Sequence, residues 1–368
     1  MSLRQALAAA LLVSAASAVC AHEVQGAKSQ ASPPALPALL VRAETALKAG
    51  DANAARDAFE QAAALRHAAD IEIGWVRAQM QAGEYRRALA FAAHIAGAHP
   101  HEGQGAALYA WLLFLGGQEA VASDALARAQ LRLPSDALLS SVKTRLGAAN
   151  AAPPSAPFFA PQPLGDSVPA QARSVGNAIL LPDARHAIAP LALIDGGGSL
   201  WLRNGLGRTV RAELLRSDAA SGLAVLQLAT PLDAPATLAL VPREPFPGSP
   251  GLVVGYRVEA DALPAWPKLS TGFLGAAMPD ATQRRLGIEV PAGSAGSPVF
   301  DVAGRLAGIV LPPSAPGQPG LGRVASLRGV AQQEWPAPAA LATTPPAMPL
   351  DQLYERALRS SLQLIRAD

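Results

Sequence analysis

Two patterns of apolar positions divide the chain. Between residues 35 and 150, small and apolar residues recur at helical spacing. Ala55, Phe59 and Ala62 follow Gly50-Asp51, Ala88 follows Gly83-Glu84-Tyr85, and Ala122, Leu126 and Ala129 follow Gly117-Gln118. Proline is confined there to Pro37, Pro100 and Pro134, so the stretch predicts helices. Between residues 166 and 335 the pattern changes to short apolar runs broken by Gly and Pro. Ala178 to Leu181, Leu200-Trp201-Leu202, Thr209 to Leu215, Leu223 to Leu228, Leu252 to Gly255, Val299-Phe300 and Leu306 to Val310 each read as a strand. Asn204-Gly205 sits between two such runs as a hairpin turn. Many short strands at regular spacing predict an all-β barrel or sandwich. The expected fold class is therefore multidomain, an all-α helical repeat followed by an all-β domain.

The helical half repeats. Its three turn glycines are 33 and 34 residues apart, and Pro100 and Pro134 are 34 apart. Each Gly fits a tight turn between two helices, and each Pro stops the second helix because it cannot continue the hydrogen-bond ladder. This period resembles the tetratricopeptide repeat over about three units. The resemblance implies that the first helix of each unit lines a concave face, which places Glu44, Arg77, Trp111 and Phe114 there as candidate partner-binding residues. Trp111 and Phe114 read equally well as core. His94, His99 and His101 gather around Pro100. A metal ion is conceivable at that point, but a solvated loop between repeats is the simpler reading. No metal or cofactor is assigned.

Composition adds compartment and excludes some functions. Half of the 368 residues are hydrophobic, enough for real cores. The net charge is only +2, and no clustered basic face suggests nucleic acid. Arg4 precedes an apolar stretch from Ala6 to Val13 and the small-residue sites Ala16-Ser17-Ala18 and Val19-Cys20-Ala21, the pattern of a cleaved export signal over residues 1–21. No other stretch is long enough to span a membrane. Cys20 is the single cysteine, removed with the signal or lipidated. A mature chain without thiols relies on its cores alone, as expected of a bacterial periplasmic protein. The remaining boundaries are a linker over 22–34, the repeat domain over 35–150, a Pro-rich linker over 151–165, the β domain over 166–335, a second Pro-rich linker over 336–348 and a C-terminal segment over 349–368.

Within the β domain the order of landmarks resembles the trypsin-like serine proteases, above all the bacterial HtrA/Deg type. Asp183 to Ile194 (DARHAIAPLALI) is similar to the turn and strand leading into the catalytic histidine. Ser217 to Leu226 (SDAASGLAVL) is similar to the segment where the aspartate precedes Leu-Ala-Leu-Leu. Gly293 to Phe300 (GSAGSPVF) is similar to the nucleophile loop, followed by a fitting strand pair from Asp301 to Ile309, and Thr271 to Leu274 matches a further family strand loosely. The resemblance implies a trypsin-like double barrel. Residue by residue, it puts the histidine position on Ala192, the aspartate position on Gly222 and the serine position on Ala295. None can supply an imidazole, a carboxylate or a hydroxyl. Ser294, Ser297 and His186 are the nearby groups from which a displaced active site would have to be built. The N–H groups of Gly293 and Ala295 would remain as an oxyanion-like backbone nest.

The tail has helical spacing at Leu350, Leu353, Tyr354, Ala357 and Leu358, then a strand-like run from Ser361 to Ile365. It resembles the segment that usually precedes the first half-barrel in HtrA-type proteases, which implies that residues 349–366 return to supply an edge strand. A loose amphipathic tail is the other reading. No PDZ module is expected. The leading functional expectation is a catalytically inactive protease homologue that binds a peptide or protein partner. The alternatives are a serine endopeptidase with displaced catalytic groups and a purely structural component of an envelope complex.

Overall fold

The computed structural model describes residues 35–147, 156–233, 238–258, 261–279, 283–291, 293–313, 322–327 and 347–367. The expected signal peptide, Cys20, the linker at 22–34 and nearly all of the linker at 336–348 lie outside them. Residues 36–368 form one compact unit.

Seven helices come first: α1 Leu36–Ala49, α2 Ala52–Leu65, α3 Ala69–Ala82, α4 Tyr85–Ala98, α5 Gly103–Leu115, α6 Glu119–Arg132 and α7 Ala137–Gly147. They pair as hairpins around Gly50, Gly83 and Gly117, whose φ angles of 77°, 74° and 78° lie in the left-handed region that only glycine enters without strain. The Gly83 N–H closes α3 on the Met80 carbonyl. Asp51 caps α2 by accepting from the Ala54 N–H at 2.9 Å. Helices α4 and α6 stop two residues before Pro100 and Pro134. The helical region is thus consistent with repeats of the expected period.

Thirteen strands follow among the described residues: β1 Leu164–Gly165, β2 Arg173–Leu180, β3 His186–Pro190, β4 Ser199–Asn204, β5 Arg208–Asp218, β6 Leu223–Leu228, β7 Ser249–Gly255, β8 Lys268–Ala277, β9 Gln283–Gly287, β10 Pro298–Asp301, β11 Leu306–Leu311, β12 Gly322–Ser326 and β13 Ser361–Ala367. An eighth helix, α8 (Leu350–Ser360), immediately precedes β13. Strands β2, β3, β6, β5, β4 and β13 close a first six-stranded antiparallel barrel, with β1 added parallel to β5 at its side. Strands β7 to β12 close a second one. Each interior follows strand alternation. Ala178, Leu180, Leu202, Val210, Leu226, Leu362 and Leu364 fill the first, and Val253, Leu274, Leu286, Val299, Val310 and Val324 the second.

The C-terminal strand sits in the middle of the first barrel. Leu362 faces Ala178 of β2 on one side and Asn204 of β4 on the other, in the same chain. The tail is therefore a structural strand. Helix α8 packs Leu353, Tyr354, Ala357 and Leu358 inward. Its Tyr354 ring meets Tyr85 of α4 edge-on, centroids 4.7 Å apart, and its hydroxyl donates to the Pro267 carbonyl at 2.5 Å. Glu355 accepts from both the backbone N–H and the guanidinium of Arg86. One segment thus joins the helical region to both barrels, and a single apolar core runs through all three.

Two sequence expectations need correction. The described part of the Pro-rich stretch, residues 156–165, is not a free spacer. Phe159 is buried and Leu164–Gly165 pairs with β5. The structure also turns Trp111 and Phe114 from a partner groove into core. They are 7% and 3% exposed, their rings stack 5.6 Å apart, and the Trp111 indole N–H donates to the Phe159 carbonyl at 3.3 Å. The chain returning through Phe159 packs on Trp111, and the Lys268 ammonium lies over the Phe114 ring, 4.6 Å from its centroid. Trp111→Ala is accordingly expected to cost ~3–5 kcal/mol of stability, measured by denaturant unfolding.

Candidate functional site

The loop from Gly293 to Ser297 leads into β10, and two left-handed glycines shape it, Gly293 (φ 81°) and Gly296 (φ 86°). The Ser294 N–H donates to the Pro291 carbonyl at 3.2 Å, closing a turn whose third position is the left-handed Gly293. Gly296 is fixed by contact as well, because a Cβ there would collide with the Asn177 backbone. The Gly296 N–H donates to Val310 of β11 at 2.7 Å.

One side chain holds this loop against the first barrel. Asn177 of β2 is fully buried. Its backbone N–H donates to the Ala295 carbonyl at 2.8 Å. Its amide nitrogen lies 3.1 to 3.3 Å from the carbonyls of Tyr256, Gly293 and Ala295, and its Oδ1 accepts from the Tyr256 N–H at 2.6 Å. Sequence reasoning passed over Asn177. The only signal was a lone amide inside an apolar run, which satisfies its needs when buried only by binding backbone.

Ala192 lies in the 3₁₀ turn Leu191–Leu193 that follows β3. Gly222 closes the turn before β6, with φ 69°. The two turns are joined directly, since the Leu191 N–H donates to the Gly222 carbonyl at 2.8 Å. Within that second turn the Asp218 carboxyl is held below its ordinary value by hydrogen bonds from the Ser221 side chain and the Ala220 N–H. Gly176 links the turn after β3 to the Ala295 loop. Its missing Cβ would lie 2.5 Å from Leu193 Cδ1 and 2.9 Å from the Ala295 carbonyl oxygen. The Ala192 and Gly222 turns are thus bonded to each other, and Gly176 of β2 packs against both Leu193 and the Ala295 carbonyl.

The nearby hydroxyls and the imidazole are not paired with one another among the described residues. Ser294 Oγ donates to its own turn at Pro291 O, 2.7 Å away, and is 4% exposed in all. Ser297 is fully buried, and among the described residues its Oγ has no hydrogen-bond partner. His186 opens β3, whereas Pro190, next to the Ala192 turn, ends it. Four residue steps along the strand separate them, about 13 Å. His186 is engaged where it stands, its Nδ1 2.5 Å from Asp183 Oδ2. Burial raises the Asp183 pKa, but the His186 ring and the Arg185 and His186 N–H groups outweigh it and hold the carboxyl below its usual value.

The N–H groups of Gly293 and Ala295 have no hydrogen-bond partner among the described residues, and Gly293 is exposed. Of the helical candidates, Glu44 and Arg77 pair with each other through two hydrogen bonds, at 2.5 and 3.3 Å. A cavity of about 480 Å³ lies elsewhere, between the helical region and the barrels, lined by Tyr85, Tyr109, Leu269, Leu350, Asp351 and Tyr354.

Two closed six-stranded antiparallel barrels, with their connecting loops meeting between them, define the trypsin-like class. Residues 175–309 match the family model of the trypsin-like peptidase domain, and the chain carries that domain. The match ends before β12, α8 and β13, so the strand that completes the first barrel lies outside it. Among solved structures, the chain is similar to the HtrA-type protease AlgW with decapeptide, at 18% identity and a TM-score of 0.37 over 43% of this chain and 50% of that one. It is also similar to the MamO protease domain from Magnetospirillum magneticum in its apo form, at 17% identity and 0.35 over 46% and 92%. A third is the serine endoprotease from Yersinia pestis, at 18% identity and 0.37 over 45% and 66%. The chain spans about half the length of the AlgW structure it matches. No curated protein matches it.

Proposed function

We propose that this chain is a catalytically silent trypsin-like protein, exported by its N-terminal signal, that binds a peptide or protein partner without cleaving it. The observation that carries the reading is the chemistry of the three motif positions. Ala192, Gly222 and Ala295 stand there by the family resemblance, and they offer neither nucleophile nor base nor orienting carboxylate. Acyl transfer by this fold needs all three in contact. Their loss from a serine protease removes roughly a factor of 10⁶ in turnover. The buried Ser294 and Ser297 hydroxyls, and the placement of His186 at the far end of β3, count against a displaced pair.

What remains is suited to holding a carbonyl. The N–H groups of Gly293 and Ala295 sit on a loop kept rigid by Asn177, and donors fixed in advance bind an oxyanion, carboxylate or peptide carbonyl without reorganising. Among the described residues no helix is long and apolar enough to cross a membrane, in keeping with an exported protein.

The test is a fluorophosphonate probe applied to the purified, folded chain, alongside casein. No covalent labelling and no cleavage are expected. Labelling at Ser294 or Ser297 that disappears in His186→Ala would overturn the reading and establish a serine hydrolase with a rearranged site.

A further inference from the structure

Three imidazoles surround one buried carboxylate in the helical region. Glu72, in the first turn of α3, is 3% exposed. Its Oε1 lies 2.9 Å from His67 Nε2 and 3.7 Å from His94 Nε2, and its Oε2 lies 3.0 Å from His99 Nε2. His67 comes from the connection between α2 and α3, His94 from α4, and His99 is the residue capping α4. His101, grouped with them in the sequence, is exposed and stands apart from this set. Glu72 and His67 were missed because the start of α3 meets the end of α4 only once the hairpin folds.

From this cluster we propose a metal site that binds Zn²⁺ through His67, His94, His99 and Glu72. The first argument is electrostatic. A carboxylate this buried needs a compensating positive charge, and among the described residues no Lys or Arg pairs with Glu72. The second is geometric. A tetrahedral Zn²⁺ about 2.1 Å from each ligand spaces the ligand atoms about 3.4 Å apart. The candidate atoms of His67, Glu72 and His99 all lie within 4.8 Å of one another, with the shortest pairs near 3 Å, while His94 Nε2, outside that group at 3.7 Å from Glu72 Oε1, enters as the fourth ligand by rotation of its exposed ring. The third is the surrounding shell. The other nitrogen of His99, Nδ1, lies 3.8 Å from Glu102 Oε1, a carboxylate that a small rotation brings into hydrogen-bond reach to orient Nε2 toward the ion. The His94 ring stacks on Phe91, centroids 5.4 Å apart and planes at 20°, and the His67 ring stacks on His99 at 4.9 Å. Three neutral imidazoles and a carboxylate suit a borderline cation such as Zn²⁺ rather than Mg²⁺ or Ca²⁺.

Such an ion ties the α2–α3 connection to the far end of α4, so its effect is structural and separate from the barrels. It departs from the sequence expectation of a solvated loop.

The decisive experiment is titration of the untagged, chelator-treated full chain with Zn²⁺ alone by calorimetry, and with Co²⁺ by visible absorption. One equivalent is expected to bind, with the intense d–d bands of tetrahedral Co²⁺ and a thermal midpoint raised by several degrees. His67→Ala removes a side chain 59% exposed, so the fold is retained, which circular dichroism checks. That variant is expected to bind Zn²⁺ at least tenfold more weakly, and His67→Ala combined with His99→Ala to lose the Co²⁺ bands. Absence of saturable one-to-one binding, or binding unchanged in the folded variants, would overturn the site and leave a cluster of histidines that only packs around Glu72.

Discussion

Truncating the chain before Ser361 is expected to abolish cooperative folding of the first barrel. Strand β13 pairs along its length with β2 on one side and β4 on the other, so its loss opens a closed barrel and leaves two facing edges. It also removes Leu362, Leu364 and Ile365, none of which is exposed to solvent. Large buried aliphatic residues cost ~2–5 kcal/mol each on truncation to alanine, and a whole domain is stable by only ~5–15 kcal/mol. The polar side of the strand adds to this. The row Asn177, Gln363, Arg203, Thr209 runs across four adjacent strands. Gln363 Oε1 accepts from Arg203, whose guanidinium also donates to Thr209 and to the Ala262 carbonyl. Burial already pushes the Arg203 pKa down to about 10, so removing an acceptor leaves a charge poorly placed. Thermal melting by circular dichroism and limited proteolysis of the truncated chain measure the effect. A cooperative melt within a few degrees of the full chain would show that β13 is dispensable.

The second large effect is expected from Asn177→Leu, a change of similar volume. It removes the donor to three carbonyls and the acceptor for the Tyr256 N–H, all in a buried setting. Each buried polar group left unpaired costs ~1–3 kcal/mol, so a loss of ~3–6 kcal/mol is expected in denaturant unfolding. Where the variant still folds, amide exchange should rise selectively from Gly293 to Ser297, because the main tether of that loop to β2 is gone. An unchanged denaturation midpoint would mean that the backbone bonds of the loop suffice. The same variant bears on partner binding. If the Gly293 and Ala295 N–H groups hold a peptide carbonyl, affinity should fall along with loop order.

These two sites mark the boundary of what the chain reveals before it folds. Local patterns were legible. The turn glycines at 50, 83 and 117 take the left-handed backbone that their spacing predicted. Helices α4 and α6 end where Pro100 and Pro134 require. Strands β4 and β6 begin and end within two residues of their apolar runs. Residues 175–309 carried enough ordered landmarks to give the trypsin-like class and to single out Ala192, Gly222 and Ala295.

Contacts between segments distant along the chain were not legible, for a physical reason. A seven-residue strand states its alternation but not its neighbours, so β13 read equally well as a loose tail until β2 and β4 were seen on either side of it. Aromatic residues on a helix face look alike whether they await a partner or a returning piece of the same chain, and Phe159 decided the matter for Trp111 as Lys268 did for Phe114. Asn177 gains its meaning from backbone carbonyls nearly 120 residues away. Glu72 gains its meaning from a helix end that only hairpin closure brings near. Sequence by itself determined the repeating helices, the short strands and the trypsin-like class. Tertiary structure alone decided which strand closes the barrel, which polar groups are buried together and which surfaces remain free. Short-range preferences are written in neighbouring residues, whereas burial is a property of the whole folded chain.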